Sequence, residues 1–496
     1  MQRAGRAIAR ALLDDAREVG GLPDDMRLLV LAGKGHNGGD ALLAAAMLLD
    51  DFPLAAADVV LVFGAQSLRP LARRALEVLR RTAAARAREL DAFTLKREFA
   101  SYDACLDGVF GFQFHPPLDE ATGELLAWVN THPRIRLRAA VDLPSGLGEN
   151  ARAKTVFRAD FTYATGIVKL PVVAPANADV VGRVRYLDLG FFAATCGSDA
   201  RTRQEREPQT SGVGAPRPHD ETPQRVLLRS LVRPLGGLRP AQTDKRTFGH
   251  LLVVGGSMNY PGAVLMTVQA ALRSGVGLLT ACVPEALVAE YAAKLPEAMW
   301  CGYAPGPHGG LTSAAADLIR EKAARATALV IGPGLGAAPE TLAAIETVFR
   351  TTESTLPVLL DADALRPELV RATVGRRVVA TPHAGEWQRI REGWTDGVLV
   401  LKGSPTRVQC AAVTYFSFFG GPVLARGGSG DLLAGLIGGR MAQAPDDLLL
   451  AAAQGVVWHG LAADLLARDK GQVAVQTTQL LDYLQPALHC TDHEDP

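Results

Sequence analysis

Residues 427–437 read Gly-Gly-Ser-Gly-Asp-Leu-Leu-Ala-Gly-Leu-Ile, a run of small residues that leads through Asp431 into an apolar stretch. Glycines permit a tight turn, and the apolar stretch predicts a buried helix that begins where the glycines stop. The first backbone amides of a helix have no partner within it and favour a phosphate, beside which Asp431 could accept a proton. A turn capped by aspartate has the same pattern, so the rest of the chain must decide between the two interpretations.

Short apolar runs alternate with helical patterns throughout both halves of the 496-residue chain. This alternation is typical of parallel βαβ units, so the sequence predicts an α/β fold in which each half is a three-layer αβα arrangement. We expect a helix over residues 40–49. The predicted strands span residues 28–32, 59–63, 104–107, 139–142, 161–164 and 184–187 in the first half, and residues 251–254, 278–283, 328–331, 358–361, 378–381 and 398–401 in the second half.

A polar segment divides the two halves. Residues 197–225 include Ser-Asp-Ala-Arg-Thr-Arg-Gln-Glu-Arg-Glu-Pro and few apolar side chains, which is the composition of a linker. We therefore expect one domain over residues 1–196, a flexible linker over residues 197–225 and a second domain over residues 226–496. The loop signatures of the two halves differ, which indicates a fusion rather than an internal duplication.

Composition and charge exclude some classes of protein. The 52 basic and 52 acidic residues balance, so no net field favours nucleic acid or an anionic membrane. The six cysteines include no CxxC pair, which fits reduced thiols. The amino terminus lacks the apolar run of a signal peptide, and residues 448–466 are interrupted by Gln454, His459 and Asp464, which predicts a buried helix rather than a membrane span. We expect a cytoplasmic protein.

Four glycine-rich or polar segments follow predicted strands of the second half. Open α/β sheets bind ligands at the carboxyl ends of their strands, so we expect these segments to lie near one another. Taken singly, each also has a structural explanation, since aspartates cap helices, a loop histidine can be satisfied locally and a lysine can lie on the surface. The segments are Gly332-Pro333-Gly334-Leu335-Gly336, Asp361-Ala362-Asp363-Ala364-Leu365, Thr381-Pro382-His383-Ala384-Gly385-Glu386 and Lys402-Gly403-Ser404.

In this order, the four segments and the loop at Asp431 resemble the ADP- or ATP-dependent NAD(P)H-hydrate dehydratases, a ribokinase-like family, over about residues 243–484. The resemblance implies a ribokinase-like αβα domain that uses ADP or ATP with Mg²⁺, and ADP is the nucleotide we expect. Asp431 would act as the base that takes the proton of the ring hydroxyl, after which that oxygen receives the terminal phosphoryl group and leaves as phosphate, assisted by the ring nitrogen.

The same resemblance assigns binding residues. Ala384 stands where the family usually has proline, and residues 244–246 replace its His-Lys-Gly, but neither change removes a catalytic group. The residues expected to contact the hydrated nicotinamide substrate are Ala263, Gly334, His383 and Asp431. The residues expected to contact the nucleotide are Lys402, Gly403, Ser404, Pro405, Thr406, Gly427, Gly428, Ser429 and Gly430.

The first half has a glycine-rich loop of its own. Residues 33–40 read Gly-Lys-Gly-His-Asn-Gly-Gly-Asp between a predicted strand and a predicted helix, so they form either a phosphate or dinucleotide site or a tight turn. Together with residues 107–112, residues 141–147 and Lys169, this loop resembles the NAD(P)H-hydrate epimerases, a Rossmann-like family that is usually fused to the dehydratase. The resemblance implies that this half interconverts the R and S hydrates.

The epimerase resemblance implies a potassium site and a substrate site. Asn37, Asp107 and Ser145 would bind K⁺, since all three offer oxygen donors, and Asp142 would be the catalytic acid or base. Three departures from the family leave open whether this site is active: His36 replaces an asparagine, Ala41 replaces a glycine, and the helix that usually precedes residues 2–5 is missing. The expected substrate contacts are His36, Asn37, Gly38, Gly39, Asp40, Gly111, Phe112, Gln113, Phe114, His115, Pro116, Pro117 and Asp142.

The two resemblances point to the same substrate, hydrated NADH or NADPH, and together they favour a repair enzyme. The dehydratase class is expected to accept only the S hydrate, and an epimerase would convert the R hydrate into the form that the dehydratase accepts. The expected partners are NADH hydrate, NADPH hydrate, an adenine nucleotide and further copies of the chain, with no nucleic acid and no membrane. One alternative is a ribokinase-class kinase for a hydroxymethylpyrimidine or hydroxyethylthiazole, with a degenerate amino-terminal module. A second alternative is a nucleotide-binding or interaction module without activity.

Overall fold

The computed structural model describes residues 1–191 and 222–489, which fall into two compact units. Unit 1 is built mainly from residues 1–191, and unit 2 mainly from residues 222–489. Most of the predicted linker over residues 197–225 lies outside the described residues. Within the described part, the first strand of unit 2 begins at Gln224.

Unit 1 contains a parallel sheet of seven strands and a short hairpin. The strands are β1 (Arg27–Ala32), β2 (Ala56–Leu61), β3 (Ala87–Leu90), β4 (Tyr102–Gly108), β5 (Ile135–Val141), β6 (Leu147–Gly148), β7 (Ala151–Arg152), β8 (Phe161–Thr165) and β9 (Arg183–Leu187). The sheet order is β3-β2-β1-β4-β5-β8-β9, and β6 pairs with β7 in the separate hairpin. The order runs outward in both directions from β1 and β4, as in Rossmann-like sheets, so the crevice between these two strands is the expected ligand site.

Helices cover both faces of this sheet. Successive strand residues point to opposite faces, and accordingly Leu28 and Val30 pack against α1 (Gln2–Ala16), α2 (His36–Asp51) and α3 (Pro70–Ala83). Leu29 and Leu31 pack on the other face against α4 and α5. The remaining helices of unit 1 are α4 (Ala92–Glu98), α5 (Glu120–Thr131), α6 (Leu170–Val173) and α7 (Ala178–Val181).

Unit 2 contains a sheet of ten strands. The strands are β10 (Gln224–Val226), β11 (His250–Val254), β12 (Leu278–Pro284), β13 (Met299–Tyr303), β14 (Ala328–Ile331), β15 (Val358–Leu360), β16 (Val378–Ala380), β17 (Val398–Leu401), β18 (Thr406–Cys410) and β19 (Val413–Ser417). Their order is β10-β19-β18-β17-β16-β15-β14-β11-β12-β13. The strands pair in parallel except at β17-β18 and β18-β19, and the order again reverses between two neighbouring strands, β11 and β14.

The helices of unit 2 complete two further layers. Leu252 and Val254 of β11 face the cluster formed by α10 to α13, while α8 and α14 pack against each other and α14 contacts β11 and β14. One helix, α15, is long and apolar enough to span a membrane, but 83% of its most apolar window is buried inside the protein. The helices are α8 (Pro261–Arg273), α9 (Glu285–Lys294), α10 (Ser313–Ala323), α11 (Pro339–Thr351), α12 (Pro367–Ala372), α13 (Ala384–Ile390), α14 (Ser429–Gln443), α15 (Leu448–Lys470) and α16 (Leu484–His489).

The α/β fold and the three-layer arrangement predicted for both halves are confirmed. The predicted strands are all present, although β2 lies at Ala56–Leu61 rather than at residues 59–63, and α2 begins at His36 rather than at residue 40. The predictions missed β3, β10, β13, β18, β19 and the β6-β7 hairpin. Several of these are edge strands or short antiparallel strands with partly exposed side chains, so they lack a continuous apolar run.

Two candidate active sites at the carboxyl ends of the strands

A cavity of about 850 Å³ lies in unit 1 at the crevice between β1 and β4. The loops that follow these strands both reach it, as expected for the point where a sheet order reverses. Of the predicted substrate residues, Gly39, Asp40 and Pro116 do not line the cavity. The predicted residues that do line it are His36, Asn37, Gly38, Gly111, Phe112, Gln113, Phe114, His115, Pro117 and Asp142.

The glycine-rich loop after β1 is closely packed. A Cβ atom at Gly33 would lie 1.8 Å from the backbone oxygen of Val109, and one at Gly38 would lie 2.3 Å from the oxygen of Gly33. No side chain can occupy these two positions, so glycine lets the loop fold back on the start of α2. The exposed amides at that helix start then face the cavity, where they can bind a phosphate.

Seven residues that line the cavity were not predicted as site residues: Lys34, Gly35, Phe63, Arg69, Val109, Phe110 and Asp119. Lys34 and Arg69 add positive charge, and the Lys34 ammonium lies 4.5 Å from the ring centre of Phe63, which also lines the cavity. The backbone amide of Arg69 donates to the Lys34 oxygen at 2.9 Å, which ties the two basic residues together. Lys34 was visible in the loop motif, but Phe63 and Arg69 come from the segment after β2, which carries no motif.

Of the three predicted potassium ligands, Asn37 lines the cavity, whereas Asp107 and Ser145 do not line it but are hydrogen-bonded to each other, and both Ser145 and Asn37 contact the backbone of Phe110. Asp107 is fully buried and accepts from the Ser145 hydroxyl at 2.6 Å, from the Ser145 amide at 2.7 Å and from the Val109 amide at 3.2 Å. Burial raises the pKa of Asp107 to about 6. Asn37 donates its Nδ2 hydrogens to the backbone oxygens of Phe110 and Val141, so its Oδ1 is free to accept or to coordinate.

Asp142 is held by an ion pair and a strained backbone. It follows the last residue of β5 and has a φ of +73°, a left-handed conformation that a residue other than glycine seldom adopts. Its Oδ1 accepts from the ammonium of Lys169 and, at 3.1 Å, from the hydroxyl of Thr165. Such strain persists where the surrounding structure imposes it, and it is common at functional sites.

A second carboxylate in this region has a different environment. Asp40 lies on α2, and its Oδ1 is buried with no hydrogen-bond partner in the described part of the chain. The pKa of Asp40 is raised to about 7, mainly by burial and also by the charge of Asp142. The positive charges of the Met1 amine and of Lys169 act against this rise. Unit 1 therefore contains Asp142 in an ion pair with Lys169 and, on α2, a buried carboxyl group that can carry a proton near neutral pH.

In unit 2, the loop at residues 427–431 forms the start of α14. Gly428 precedes the helix with a φ of +89°, and a Cβ atom there would lie 2.4 Å from the sulfur of Met266. The helix begins at Ser429, whose amide donates to the Arg426 oxygen at 3.4 Å, and Asp431 lies in its first turn. The predicted helix start after the glycines is therefore present, and a helix start of this kind can bind an anion beside the carboxylate.

Asp431 belongs to a group of charged side chains from neighbouring strand ends. Lys402 Nζ lies 2.9 Å from Asp361 Oδ1 and 3.8 Å from Glu386 Oε2, and the Thr381 hydroxyl donates to Asp361 at 2.7 Å. The pKa of Asp431 is raised to about 7, mainly by burial and also by the charges of Asp361 and Asp363, against the opposing charge of Lys402. Such a proton affinity would suit a base that acts at neutral pH.

The predicted substrate residues of unit 2 lie on two sides of this group. Ala263 and Gly334 are neighbours, because a Cβ atom at Gly334 would lie 3.0 Å from that of Ala263. The Gly336 amide donates to Asp363 at 2.9 Å, which connects this loop to the acidic segment after β15. Asp361, Asp363 and Glu386 stood in quoted motifs but were not predicted as site residues.

His383 has a defined structural role. Its Nδ1 accepts from the amides of Gly385 and Glu386, and Glu386 accepts from the His383 amide, so the two residues form a capping box at the start of α13. The imidazole is 60% exposed, and its Nε2 lies 3.4 Å from Glu386 Oε1. Residues 403–405 form the turn between β17 and β18, and Thr406 begins β18.

Comparisons with known proteins match both units. A family model described as NAD(P)H-hydrate dehydratase matches residues 251–486, and one described as YjeF-related protein N-terminus matches residues 1–170. A bifunctional NAD(P)H-hydrate repair enzyme from Gloeobacter violaceus is 34% identical, with 98% of this chain and 93% of that relative covered. A protein of the same description from Moorella thermoacetica is 30% identical, with 100% of this chain and 93% of that relative covered.

Among solved structures, the ADP/ATP-dependent NAD(P)H-hydrate dehydratase from Bacillus subtilis, co-crystallised with ATP and Mg²⁺, is 27% identical. It covers 54% of this chain and 97% of its own, with a TM-score of 0.44. Both of these relatives are described as bifunctional, and the matches cover 98% and 100% of this chain. The family predicted from the motifs is confirmed: this chain belongs to the bifunctional NAD(P)H-hydrate repair enzymes.

Proposed function

We propose that unit 2 dehydrates the S form of hydrated NADH and NADPH with ADP or ATP, and that unit 1 interconverts the R and S forms. The observation that carries the proposal is Asp431, a carboxylate with a pKa near 7 at the anion-binding start of α14. The membership of the whole chain in the bifunctional family supports the pairing of the two reactions.

In the dehydratase reaction, Asp431 takes the proton of the ring hydroxyl. The hydroxyl oxygen then attacks the terminal phosphorus of the nucleotide, whose leaving group departs, and the ring nitrogen expels the new phosphate ester as phosphate. The amides at residues 427–430 stabilise the negative charge of the transferred group. Loss of a neighbouring ring proton restores the reduced nicotinamide.

Lys402 sets the charge around this base. It pairs with Asp361, lies near Glu386 and partly offsets the repulsion that these carboxylates exert on an ionised Asp431. We assign Lys402, Gly403, Ser404, Pro405 and Thr406 to the nucleotide, in agreement with the position of this turn at the end of β17. Mg²⁺ would enter with the nucleotide phosphates, and the carboxylates near Lys402 offer the oxygen ligands that this ion prefers.

In the epimerase reaction, the configuration inverts at the carbon that carries the hydroxyl group. The C–O bond must break as the ring nitrogen donates its electron pair, and water must add again from the opposite face. An acid has to protonate the departing hydroxyl, and a base has to accept a proton from the returning water. We assign these proton transfers to Asp142 in the cavity, with Lys169 as the residue that holds it.

The potassium site that the family implies fits the residues present. Asp107 is fully buried, its contacts in the described part of the chain are the neutral groups of Ser145 and Val109, and Asn37 has a free amide oxygen nearby. A monovalent cation at Asn37, Asp107 and Ser145 would compensate the buried carboxylate and fix the loops at the base of the cavity. K⁺ supplies charge there, and no covalent step requires it.

We further propose a cytoplasmic location and an assembly of identical subunits, with no nucleic-acid or membrane partner. The balanced charge of the chain supports the absence of nucleic acid. The burial of α15 inside unit 2 fits a core helix.

The direct test incubates the protein with ADP or ATP and pure S hydrate, and follows the absorbance of the reduced nicotinamide. Recovery of NADH or NADPH supports the dehydratase, whereas phosphorylation of a pyrimidine or thiazole alcohol without such recovery would establish the kinase alternative. Adding pure R hydrate then tests unit 1. Recovery no faster than spontaneous epimerisation would identify unit 1 as a module without activity.

A further inference from the structure

Two cysteines of unit 2 are direct neighbours on adjacent strands. Cys282 of β12 is in register with Cys301 of β13, and the strands are parallel, so both side chains project to the same face of the sheet. The thiol of Cys282 donates a hydrogen bond to the sulfur of Cys301. Neither residue belongs to the motifs or to the sites described above.

The two thiols differ in access and in charge. Cys282 is fully buried in the core, whereas Cys301 is partly exposed. The hydrogen bond from Cys282 lowers the pKa of Cys301 and so does the charge of Lys322, while burial and Glu321 act in the opposite direction. Cys301 thus has the properties of a reactive cysteine, since it is partly exposed and has thiolate character. Cys282 is placed to act as the resolving cysteine, which attacks a sulfenic acid formed at Cys301.

A fully buried cysteine of unit 1 provides a contrast. Burial raises the pKa of Cys105, and the charge of Asp107 raises it further. Such a thiol is neutral and inaccessible, and it is inert towards oxidants. Reactivity at Cys301 therefore follows from its local environment rather than from the presence of a thiol.

We propose that Cys301 and Cys282 form a reversible peroxide-sensitive dithiol. The Cys301 thiolate attacks hydrogen peroxide, the O–O bond breaks, and the products are a sulfenic acid at Cys301 and hydroxide. The Cys282 sulfur then attacks the sulfenic sulfur, its proton leaves with the displaced hydroxyl as water, and a disulfide remains. A dithiol reductant returns both thiols by transferring two electrons.

The disulfide would change the local geometry of the sheet. Neighbouring strands lie roughly 4.7–4.9 Å apart, which is within the Cα separation of about 4.4–6.8 Å that a disulfide spans, but the Cβ atoms of Cys282 and Cys301 must approach to about 3.8 Å across β12 and β13. A disulfide that departs from this geometry because the sheet resists the approach is strained and easily reduced. That property suits a reversible modification better than a permanent crosslink.

Both strands contact the loop that follows β11, which leads into α8. The Gly255 amide donates to the Cys282 oxygen at 3.4 Å, and the Tyr303 hydroxyl donates to the Gly256 oxygen at 3.1 Å. Since this loop precedes Ala263, closure of β12 on β13 should weaken substrate binding in the dehydratase. This consequence rests on the proposed function, whereas the dithiol chemistry does not.

The test treats the full-length protein with hydrogen peroxide and maps all cysteines by mass spectrometry without reduction. We expect a linked pair of peptides that contain Cys282 and Cys301, with a loss of two hydrogens that a dithiol reductant reverses. In Cys282→Ala, dimedone should label Cys301 as a trapped sulfenic acid. Absence of the linked peptides from the wild-type protein, or dimedone labelling no greater at Cys301 than at Cys410, would overturn the proposal.

Lys322 supplies the matched control. Lys322→Gln should slow alkylation of Cys301 by iodoacetamide at neutral pH several-fold, whereas Lys322→Arg should retain the rate. Equal rates in all three proteins would exclude the assigned role of the charge. The oxidised protein should show a higher KM for the S hydrate, and a dithiol reductant should return KM to its original value. If the disulfide forms but the protein has no dehydratase activity even before oxidation, the proposed function is refuted and the dithiol remains established.

Discussion

The two candidate sites hold their catalytic carboxylates in opposite ways. In unit 1, Asp142 accepts directly from Lys169 and Thr165, and its backbone is fixed in a left-handed conformation. In unit 2, the lysine is committed to a different carboxylate, since Lys402 lies 2.9 Å from Asp361, and Asp431 experiences its charge less directly. The first carboxylate is held in an ion pair, whereas the pKa of the second is raised to about 7, so that it exchanges a proton near neutral pH.

This difference fits the two proposed reactions. A phosphoryl transfer from a hydroxyl needs a base that is ionised in a substantial fraction at neutral pH and still has a high proton affinity, and a pKa of about 7 gives Asp431 both properties. An epimerisation must both give and take a proton, and the cavity of unit 1 offers Asp142, which Lys169 holds in an ion pair. The comparison predicts that the two sites will respond differently to the same substitution.

The largest expected effect is the loss of the base in unit 2. Asp431→Asn should lower kcat for S-hydrate dehydration by about 10²–10⁴-fold, because the amide cannot accept the hydroxyl proton. Nucleotide should still bind, since the amides at the start of α14 remain, and calorimetric titration with ADP would show it. Epimerisation of R hydrate to S hydrate, followed by chromatography, serves as the internal control. A normal dehydration rate would exclude Asp431 as the base.

A smaller loss is expected in unit 1. Asp142→Asn should slow conversion of R hydrate to S hydrate by about 10²-fold, at the lower end of the range for acid–base residues, because spontaneous epimerisation of the hydrate limits the loss that can be measured. Lys169→Met should have a similar effect, since it leaves Asp142 without its ion pair. If the two substitutions act through this pair, the double variant should be no slower than either single one. Additive losses would contradict a shared role.

The pH dependence of the dehydratase should report on Asp431. The ionised form is the active base, so kcat should rise with pH, by about tenfold per unit below its pKa near 7, and become constant above it. Lys402 lowers the pKa of Asp431 against the effect of Asp361 and Asp363, so Lys402→Met should move the midpoint to higher pH. Lys402→Arg keeps the charge and should keep the midpoint. A profile that is flat from pH 5 to pH 8 in the wild-type protein would contradict this assignment.

Much of the fold was accessible from sequence because the central strands are continuous apolar runs. β11 and β14 are buried along their length, and the glycine-rich segments that follow them end at the reversal of the sheet order. Edge strands gave no such signal. β3 has the sequence Ala-Arg-Glu-Leu, in which the two charged residues are exposed, and only its pairing with β2 reveals a strand.

The candidate sites were predictable to the extent that each residue stands in a local motif. Asp431 and Asp142 follow glycine-rich or strand-end patterns, so their positions could be inferred from spacing. The raised pKa of Asp40 results from burial by distant parts of the chain, and Arg69 reaches the cavity through a hydrogen bond to Lys34, so no local pattern identifies either role. Strain at Asp142 is likewise a property of the folded backbone.

The smallest predicted effect concerns stability and follows from the same base. Folding raises the pKa of Asp431 from its ordinary value of 3.8 to about 7, so the folded state binds this proton more tightly than the unfolded state, and the stability of unit 2 falls as pH rises from about 4 to about 7. Asp431→Asn removes this destabilisation. The resulting increase in the free energy of unfolding should grow from pH 5 to pH 8 and reach about 1–2 kcal/mol, because Asp431 is partly exposed and solvent screens the full effect.

Thermal denaturation of the full-length protein would measure this gain, with the transition of unit 2 identified by its shift on addition of ADP. The Tm of Asp431→Asn should exceed that of the wild-type protein by about 2–4 °C at pH 8 and by less at pH 5. Asp317→Asn is the control, because its side chain is 79% exposed on α10 and should give no pH-dependent difference. A lower Tm for Asp431→Asn at pH 8 would mean that the Asp431 carboxylate stabilises unit 2, and the contrast with the ion-paired Asp142 of unit 1 would no longer hold.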